Sequence, residues 1–294
     1  MLQRPMLMPF SKLEGLGNDF ILIKTEQLEE SHCSDLAKKI CNRYFGVGAD
    51  GVILFHAIAP TGGPADFSMR IFNADGGEAE LSGNGLRCLA AHLWHHGLHC
   101  HNPLRVDTRA GLKAVQMTRS TPPEYFFEVE MGNPILDRNR IPLNLESEPD
   151  SLVACELAVG DTVYKVTITS MGNPHCSIFL DDFGAMDWER VGSRIEAHPA
   201  FPNRTNVEFV KVKSRQEIEV RFWERGVGKT YASGTGSCAA VVASVLNGYT
   251  DREVQVHTLG GGLEISWQAN NSLCLKGPAR FICHGEYCYS ETSG

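Results

Sequence analysis

The chain repeats its own pattern, and that repeat constrains its fold more than any other feature. The segment Asn73-Ala74-Asp75-Gly76-Gly77-Glu78-Ala79-Glu80-Leu81-Ser82-Gly83-Asn84-Gly85 ends in Ser-Gly-x-Gly. So does Glu224-Arg225-Gly226-Val227-Gly228-Lys229-Thr230-Tyr231-Ala232-Ser233-Gly234-Thr235-Gly236, at an offset of 151 positions. Short apolar stretches of helical character follow both and end at Gly97 and Gly248, again 151 apart. Gly17-Asn18-Asp19-Phe20 and Gly172-Asn173-Pro174-His175 form a third pair at an offset of 155. Three matches in one order at nearly one spacing imply an internal duplication. Such a chain is expected to fold as two similar domains facing each other, and clefts between domains are common ligand sites.

Local patterns give the fold class. Phe20-Ile21-Leu22-Ile23, Gly51-Val52-Ile53-Leu54-Phe55 and Ser68-Met69-Arg70-Ile71-Phe72 read as short strands. The stretches from Val163 to Ile168, Cys176 to Leu180, Val207 to Val212 and Ile218 to Phe222 read the same way in the second half. Helical patterns are few. Ser34 to Tyr44 is one, with Ser34 as its N-cap. Leu86, Leu89, Ala90 and Leu93 follow the spacing of a buried helix face. An α+β fold is expected, with two pseudo-symmetric domains, each a mixed or antiparallel sheet wrapped around a central helix. Residues 1–138, completed by 277–294, form the first domain and residues 139–276 the second. They join around 131–149, where Gly, Pro, Asn and acidic residues cluster.

Composition narrows the function. The 294 residues are 43% hydrophobic and 21% charged, enough for two domains with their own cores. A net charge of −8 disfavours sequence-independent nucleic-acid binding, which needs a basic surface. No apolar run approaches the ~18 residues that span a bilayer. The first residues, Met1-Leu2-Gln3-Arg4-Pro5, do not resemble a signal peptide, and ten scattered cysteines suit reduced thiols, so a cytoplasmic protein is expected. His92, His95, His96 and His99 share a helix face, but no carboxylate completes a metal site with them.

Each Ser-Gly-x-Gly sits between a strand-loop segment and a helix. A glycine turn there exposes the first N–H groups of the helix, which have no partner within it. With the positive end of the helix dipole they favour a bound anion. Two copies facing across a cleft could hold one carboxylate between two helix N-termini. The alternative is that the glycines only make tight turns and the serines only cap helices.

A larger set of segments resembles, in order, the motifs of the diaminopimelate epimerase family. These are Gly15-Leu16-Gly17-Asn18-Asp19-Phe20, Gly46-Val47-Gly48-Ala49-Asp50-Gly51, Asn73-Ala74-Asp75-Gly76 and Gly83-Asn84-Gly85-Leu86-Arg87-Cys88 in the first half. The second half adds Met171-Gly172-Asn173-Pro174-His175, Arg204-Thr205-Asn206-Val207-Glu208-Phe209, Trp223-Glu224-Arg225-Gly226, Gly234-Thr235-Gly236 and Lys276-Gly277-Pro278-Ala279. Proline racemases, which share the fold, usually read Gly-His-Gly where this chain has Gly83-Asn84-Gly85.

The resemblance implies an epimerase that needs no cofactor and no metal and interconverts LL- and meso-diaminopimelate in lysine and peptidoglycan precursor synthesis. It also implies a homodimer. Two side chains on opposite faces of the substrate exchange the α-proton, and their roles swap with direction. Helix N-termini at Gly83-Asn84 and Gly234-Thr235 would stabilise charge at the α-carboxylate. Asn18, Asn73, Asn173, Asn206 and Arg225 would hold the distal end of the amino acid. Glu224 and the backbone carbonyl of Arg225 would meet the reacting ammonium, and His175 with Glu224 would polarise the acid–base pair. Taken singly, these asparagines also suit turns, His175 reads as an ordinary partly buried histidine, and Arg225 as a surface ion-pair residue.

The family's two catalytic cysteines fall on Ser82 and Ser233. A thiol has a pKa of about 8.5 and is tuned lower at a helix N-terminus. A serine hydroxyl becomes a base only when a partner takes its proton. Three readings fit the exchange: serines introduced to make a substrate-trapping form, a paralogue with altered racemase or dehydratase chemistry, and a non-catalytic amino-acid binder. Cys88 and Cys238 are expected to face the core and not to replace the thiols. Glu14 stands where the family often has His, and Gly51 where some members carry a glutamine that touches substrate.

Overall fold

The computed structural model describes residues 6–25, 30–59, 63–145 and 151–289. The chain divides into two compact units, Met1–Val129 with Gly277–Gly294, and Glu130–Lys276. Met1 to Pro5 and part of the join expected around 131–149 lie outside the described residues. The fold is mixed α+β, with four α-helices among the described residues.

In the first unit, β1 (Met6–Gly15) turns back into β2 (Asn18–Lys24). Leu16 and Gly17 between them have φ of 59° and 84°, the left-handed pair that a type I′ two-residue hairpin requires. α1 (Glu30–Ile40) crosses to β3 (Gly51–Ala57), which runs parallel to β2. β4 (Phe67–Asn73) pairs antiparallel with β3, and the short β5 (Glu78–Ala79) with β4. α2 (Gly83–His95) makes a second crossing, to β6 (Leu104–Thr108), parallel to β4. β7 (Gly111–Thr121) and β8 (Glu124–Gly132) extend this sheet antiparallel. A helix is the usual bridge where neighbouring strands run parallel.

In the second unit, β9 (Cys155–Val159), β10 (Thr162–Ser170) and β11 (Pro174–Phe179) pair antiparallel in turn. α3 (Trp188–Glu196) leads to β12 (Asn206–Ser214), parallel to β11. β13 (Glu217–Glu224) and β14 (Gly228–Thr230) follow antiparallel. α4 (Gly234–Leu246) leads to β15 (Glu253–Thr258), parallel to β13, and β16 (Gly261–Trp267) pairs with β15. β17 (Leu273–Tyr289) begins beside β16 and ends beside β1.

One helix in each unit is buried almost throughout. Leu86, Leu89, Ala90 and Leu93 of α2 are fully buried, as their spacing predicts. In α4 the run Cys238-Ala239-Ala240-Val241-Val242-Ala243 is buried on every side, which is why it is apolar all round. Both helices end in the same way. Gly97 and Gly248 take positive φ, 63° and 73°, and the next residue donates back five positions, Leu98 N to Leu93 O and Tyr249 N to Ser244 O. This is a Schellman cap, for which glycine is the favoured residue.

The helix expected over 34–44 is displaced. α1 starts at Glu30 and stops at Ile40, so Ser34 lies inside it and not at its N-cap. Beyond Ile40 the side chain of Asn42 accepts from Tyr44 N and Phe45 N, each at 2.9 Å. The amides of Val47 and Gly48 return to Ile40 O. Local asparagine bonding of this kind ends a helix whatever the apolar spacing allows.

Leu89→Ala is expected to lower the unfolding free energy by about 2–5 kcal/mol, because the buried helix cannot collapse onto the vacated space. Denaturant unfolding of the two proteins checks this.

Candidate active site

In the first unit, three strand ends bring the expected residues together. Phe20 on β2 pairs with Gly51 on β3, and Gly51 pairs with Asn73 on β4. Asn18, Asp50 and Asn73 therefore lie near one end of three adjacent strands. The side chain of Asn18 is fixed from both sides. Its amide donates to Asp50 Oδ2 at 2.8 Å, and its Oδ1 accepts from Asn84 Nδ2 at 3.1 Å. Asn84 Oδ1 accepts in turn from the guanidinium of Arg87 at 2.7 Å. Arg87 is wholly buried and also donates to Gly83 O and, across the unit, to Pro278 O. This joins the Gly83-Asn84 loop to the Lys276-Gly277-Pro278-Ala279 segment, which is remote in sequence. Asn73 is exposed, and its backbone closes a turn with Gly76 and Gly77.

The far side of Asn18 is an ionic cluster. Asp19, mostly buried, takes Lys12 at 2.9 Å and Arg43 at 2.8 Å, while Arg43 also reaches Asp50 at 2.8 Å. Burial pushes the Asp19 carboxyl up, but the bonds from Arg43 and Lys12 outweigh it and hold the group below its ordinary value. Glu14 accepts from Gly17 N at 2.9 Å and so supports the hairpin turn.

α2 begins directly beside this network. Ser82 is its N-cap, in extended conformation, and its Oγ accepts from Gly85 N at 3.0 Å. No acidic residue lies in the first turn of the helix. Gly85 faces the sheet closely, since a Cβ there would stand 3.3 Å from Ile53 and Ile71.

In the second unit the corresponding residues cluster around the starts of β11 and β12 and the end of β13. His175 pairs with Asn206, and Val207 with Trp223. The side chain of Asn206 ties these ends together: its Nδ2 donates to Pro174 O and its Oδ1 accepts from Arg225 N, both at 3.0 Å. Arg225 itself is exposed, and its guanidinium reaches Asn203 O at 3.2 Å. His175 is fully buried, with Nε2 3.1 Å from Asn173 Oδ1 and Nδ1 2.6 Å from Glu208 Oε1.

Glu224 accepts from Thr230 Oγ1 at 2.6 Å and is also hydrogen-bonded to the Ser233 side chain. Burial pushes its carboxyl above the ordinary value, and Glu208 nearby adds to that, against the opposing hydrogen bonds and His175. Ser233 caps α4 as Ser82 caps α2, its Oγ accepting from Gly236 N at 3.2 Å. Gly234 is buried and Thr235 half-buried. Cys88 and Cys238 are both fully buried, and burial pushes the Cys88 thiol far up. Neither is placed to act as an exposed thiolate.

Several residues of these networks were not singled out from the sequence. Arg87, Asp50, Glu208 and Glu196 hydrogen-bond to the expected residues or their neighbours without being among them. Glu196 is buried and accepts from Gly226 N, Trp223 Nε1 and Arg204, fixing the turn that carries Arg225. The available signal was a charged residue inside an apolar strand, as in Asn206-Val207-Glu208-Phe209-Val210. The histidines of α2 have another role: His92 is pushed down to about 3 by burial and by its neighbours His96 and His95, and it packs against Phe55. Among the described residues, no group of three His, Cys, Asp or Glu could hold a metal ion.

A profile described as Diaminopimelate epimerase matches residues 10–136 and 167–282. The chain belongs to the diaminopimelate epimerase family. Within that family it is 46% identical over 284 residues to the diaminopimelate epimerase of Pelotomaculum thermopropionicum, covering 96% of this chain and 99% of that one. Against the diaminopimelate epimerase of Desulfitobacterium hafniense it is 43% identical, covering 95% and 97%. Membership makes the protein an isomerase of the amino-acid epimerase type. Solved structures of a hydroxyproline epimerase from Agrobacterium vitis and a phenazine biosynthesis protein from Bacillus anthracis share the fold. Their TM-scores are 0.71 and 0.68, at 11% and 16% identity. The first match covers 99% of this chain and 95% of the other, the second 96% and 99%.

Two outcomes test the first-unit network. Arg87→Met is expected to cost about 3 kcal/mol in chemical denaturation, since it leaves buried acceptors at Asn84 and Pro278 without their charged donor. Asp19 contributes stability that is complete above the ordinary aspartate pKa of ~3.9 and is lost as pH falls through its lower folded value. Asp19→Asn should therefore flatten the acid limb of the stability–pH curve, followed by thermal unfolding across acid pH.

Proposed function

We propose that this chain carries the two-base site of an epimerase interconverting LL- and meso-diaminopimelate, and that with Ser82 and Ser233 it binds substrate without appreciable turnover. The observation that carries the reading is the matched pair of helix heads. Each begins with a serine N-cap followed by Gly-Asn-Gly or Gly-Thr-Gly, and neither has an acidic residue in its first turn. That both units follow one series of strand pairings, with a parallel step at each helix crossing, supports descent from a duplicated, pseudo-symmetric pair of domains. These domains span 1–138 with 277–294, and 139–276.

The chemistry follows from acidity. The α-proton of an amino acid is a very weak acid, so the anion left by its removal needs stabilisation. The N–H groups at the start of α2 and α4, Gly83-Asn84 and Gly234-Thr235, suit the α-carboxylate of that anion. Asn18, Asn73, Asn173, Asn206 and Arg225 recognise the distal amino-acid group, and Glu224 meets the reacting ammonium. In the working reaction a thiolate at one of positions 82 and 233 takes the α-proton while a thiol at the other returns one to the opposite face. Serine keeps the shape and the cap. It lacks the acidity, because its hydroxyl stays protonated near neutral pH without a base to receive the proton. The reading places the protein in lysine and peptidoglycan precursor synthesis, as a cytoplasmic homodimer acting without a cofactor.

The test is α-proton exchange of diaminopimelate in deuterated water. Ser82→Cys with Ser233→Cys is expected to exchange and epimerise at least about a hundredfold faster than the present chain. An inert but folded double-cysteine form would overturn the epimerase reading. If the present chain instead processes another amino acid, the serines belong to an altered racemase or dehydratase. Binding without exchange in either form would mark an amino-acid binder.

A further inference from the structure

His175 and Glu208 face each other from neighbouring parallel strands, with 0% and 1% side-chain exposure. Two ionisable groups so deep are costly unless each polar atom has a partner. Every one of theirs does. Glu208 Oε1 lies 2.6 Å from His175 Nδ1, Glu208 Oε2 accepts from Ser177 Oγ at 3.3 Å, and His175 Nε2 lies 3.1 Å from Asn173 Oδ1. The amide oxygen of Asn173 can only accept, so Nε2 carries a hydrogen. Nδ1 and Glu208 then hold one further proton between them. Whichever atom carries it, the pair is neutral overall.

We propose that Glu208 is a positioning residue for His175, fixing the ring so that a protonated Nε2 is the nitrogen presented toward Asn173. This deepens the epimerase reading and rests on it. It makes His175 a hydrogen-bond donor and leaves proton abstraction to positions 82 and 233. A buried carboxyl behind an imidazole sets ring orientation and tautomer in the same way in hydrolytic triads. Burial pushes the Glu208 carboxyl up, against the opposing pull of His175 and Ser177, which suits a shared proton. The other ionisable groups near the pair are Glu224 from β13 and Cys176 beside His175 on β11. Burial and Glu208 push the Cys176 thiol far up, so it contributes no charge.

Ring-nitrogen NMR on histidine-labelled protein tests the proposal in the chain as it stands. His175 is expected to show a protonated Nε2 and an exchange-protected proton between Nδ1 and Glu208. Glu208→Gln should abolish the bridging signal and Glu208→Asp should retain it. In the Ser82→Cys/Ser233→Cys background, Glu208→Gln should lower kcat about tenfold or more at nearly unchanged KM, with partial rescue by Glu208→Asp. Unchanged ring signals in Glu208→Gln, or an unchanged kcat in the active background, would overturn the proposal. If Glu208→Gln does not fold, loss of the bridging signal in Glu208→Asp would overturn it instead. An inactive double-cysteine form bears on the epimerase reading alone, because the ring signals still decide the role of Glu208.

Discussion

A serine hydroxyl accepting a hydrogen bond from the amide three residues on, at the head of a buried helix, sets the geometry that each unit depends on. The bond is 3.0 Å from Gly85 to Ser82 and 3.2 Å from Gly236 to Ser233. At Gly236 the donating position requires glycine because the helix start lies against the sheet. A Cβ on Gly236 would stand 2.9 Å from the Phe222 ring and 3.0 Å from Ser233 Oγ itself. The same contact that closes the core therefore fixes where the capping side chain points and leaves the preceding amides of the helix unbonded within it.

The two helix heads are alike in form and unlike in their electrostatic setting. Below the head of α2 lies a buried guanidinium, Arg87, bonded to Gly83 O and to Asn84. Beside the head of α4 lies the acidic side chain of Glu224, raised by burial, with Glu208 and His175 near it in turn. Equal backbone geometry thus presents one helix start next to a fixed positive charge and the other next to a group that tends to hold its proton.

Much of the local structure was legible in the sequence. The strands at Phe20-Ile21-Leu22-Ile23 and Gly51-Val52-Ile53-Leu54-Phe55, the buried face of α2 and the terminating glycines at 97 and 248 all follow from apolar spacing and from glycine's access to positive φ. The end of α1 did not, because the side chain of Asn42 competes for backbone amides that the apolar pattern assigns to a helix. Long strands such as β7 and β17 were also illegible, since half-exposed strands carry mixed residues without a strong period. Among the site residues, the asparagines were marked by motif order, but their partners were not. Arg87 finds Pro278 O 191 positions away, and no local pattern encodes that approach.

The sequence by itself determined that two Ser-Gly-x-Gly helix starts exist, that the chain belongs with amino-acid epimerases by motif order, and that the two positions expected to carry thiols carry hydroxyls. Those are properties of residue type and spacing along one chain. Only the tertiary structure decided which charged side chains lie beside the expected residues: buried Arg87 at Asn84, exposed Asp50 at Asn18, and buried Glu208 at His175. Burial gives the Arg87 and Glu208 pairings their strength, because a hydrogen bond between groups removed from water fixes orientation in a way that the same residues in an unfolded chain cannot.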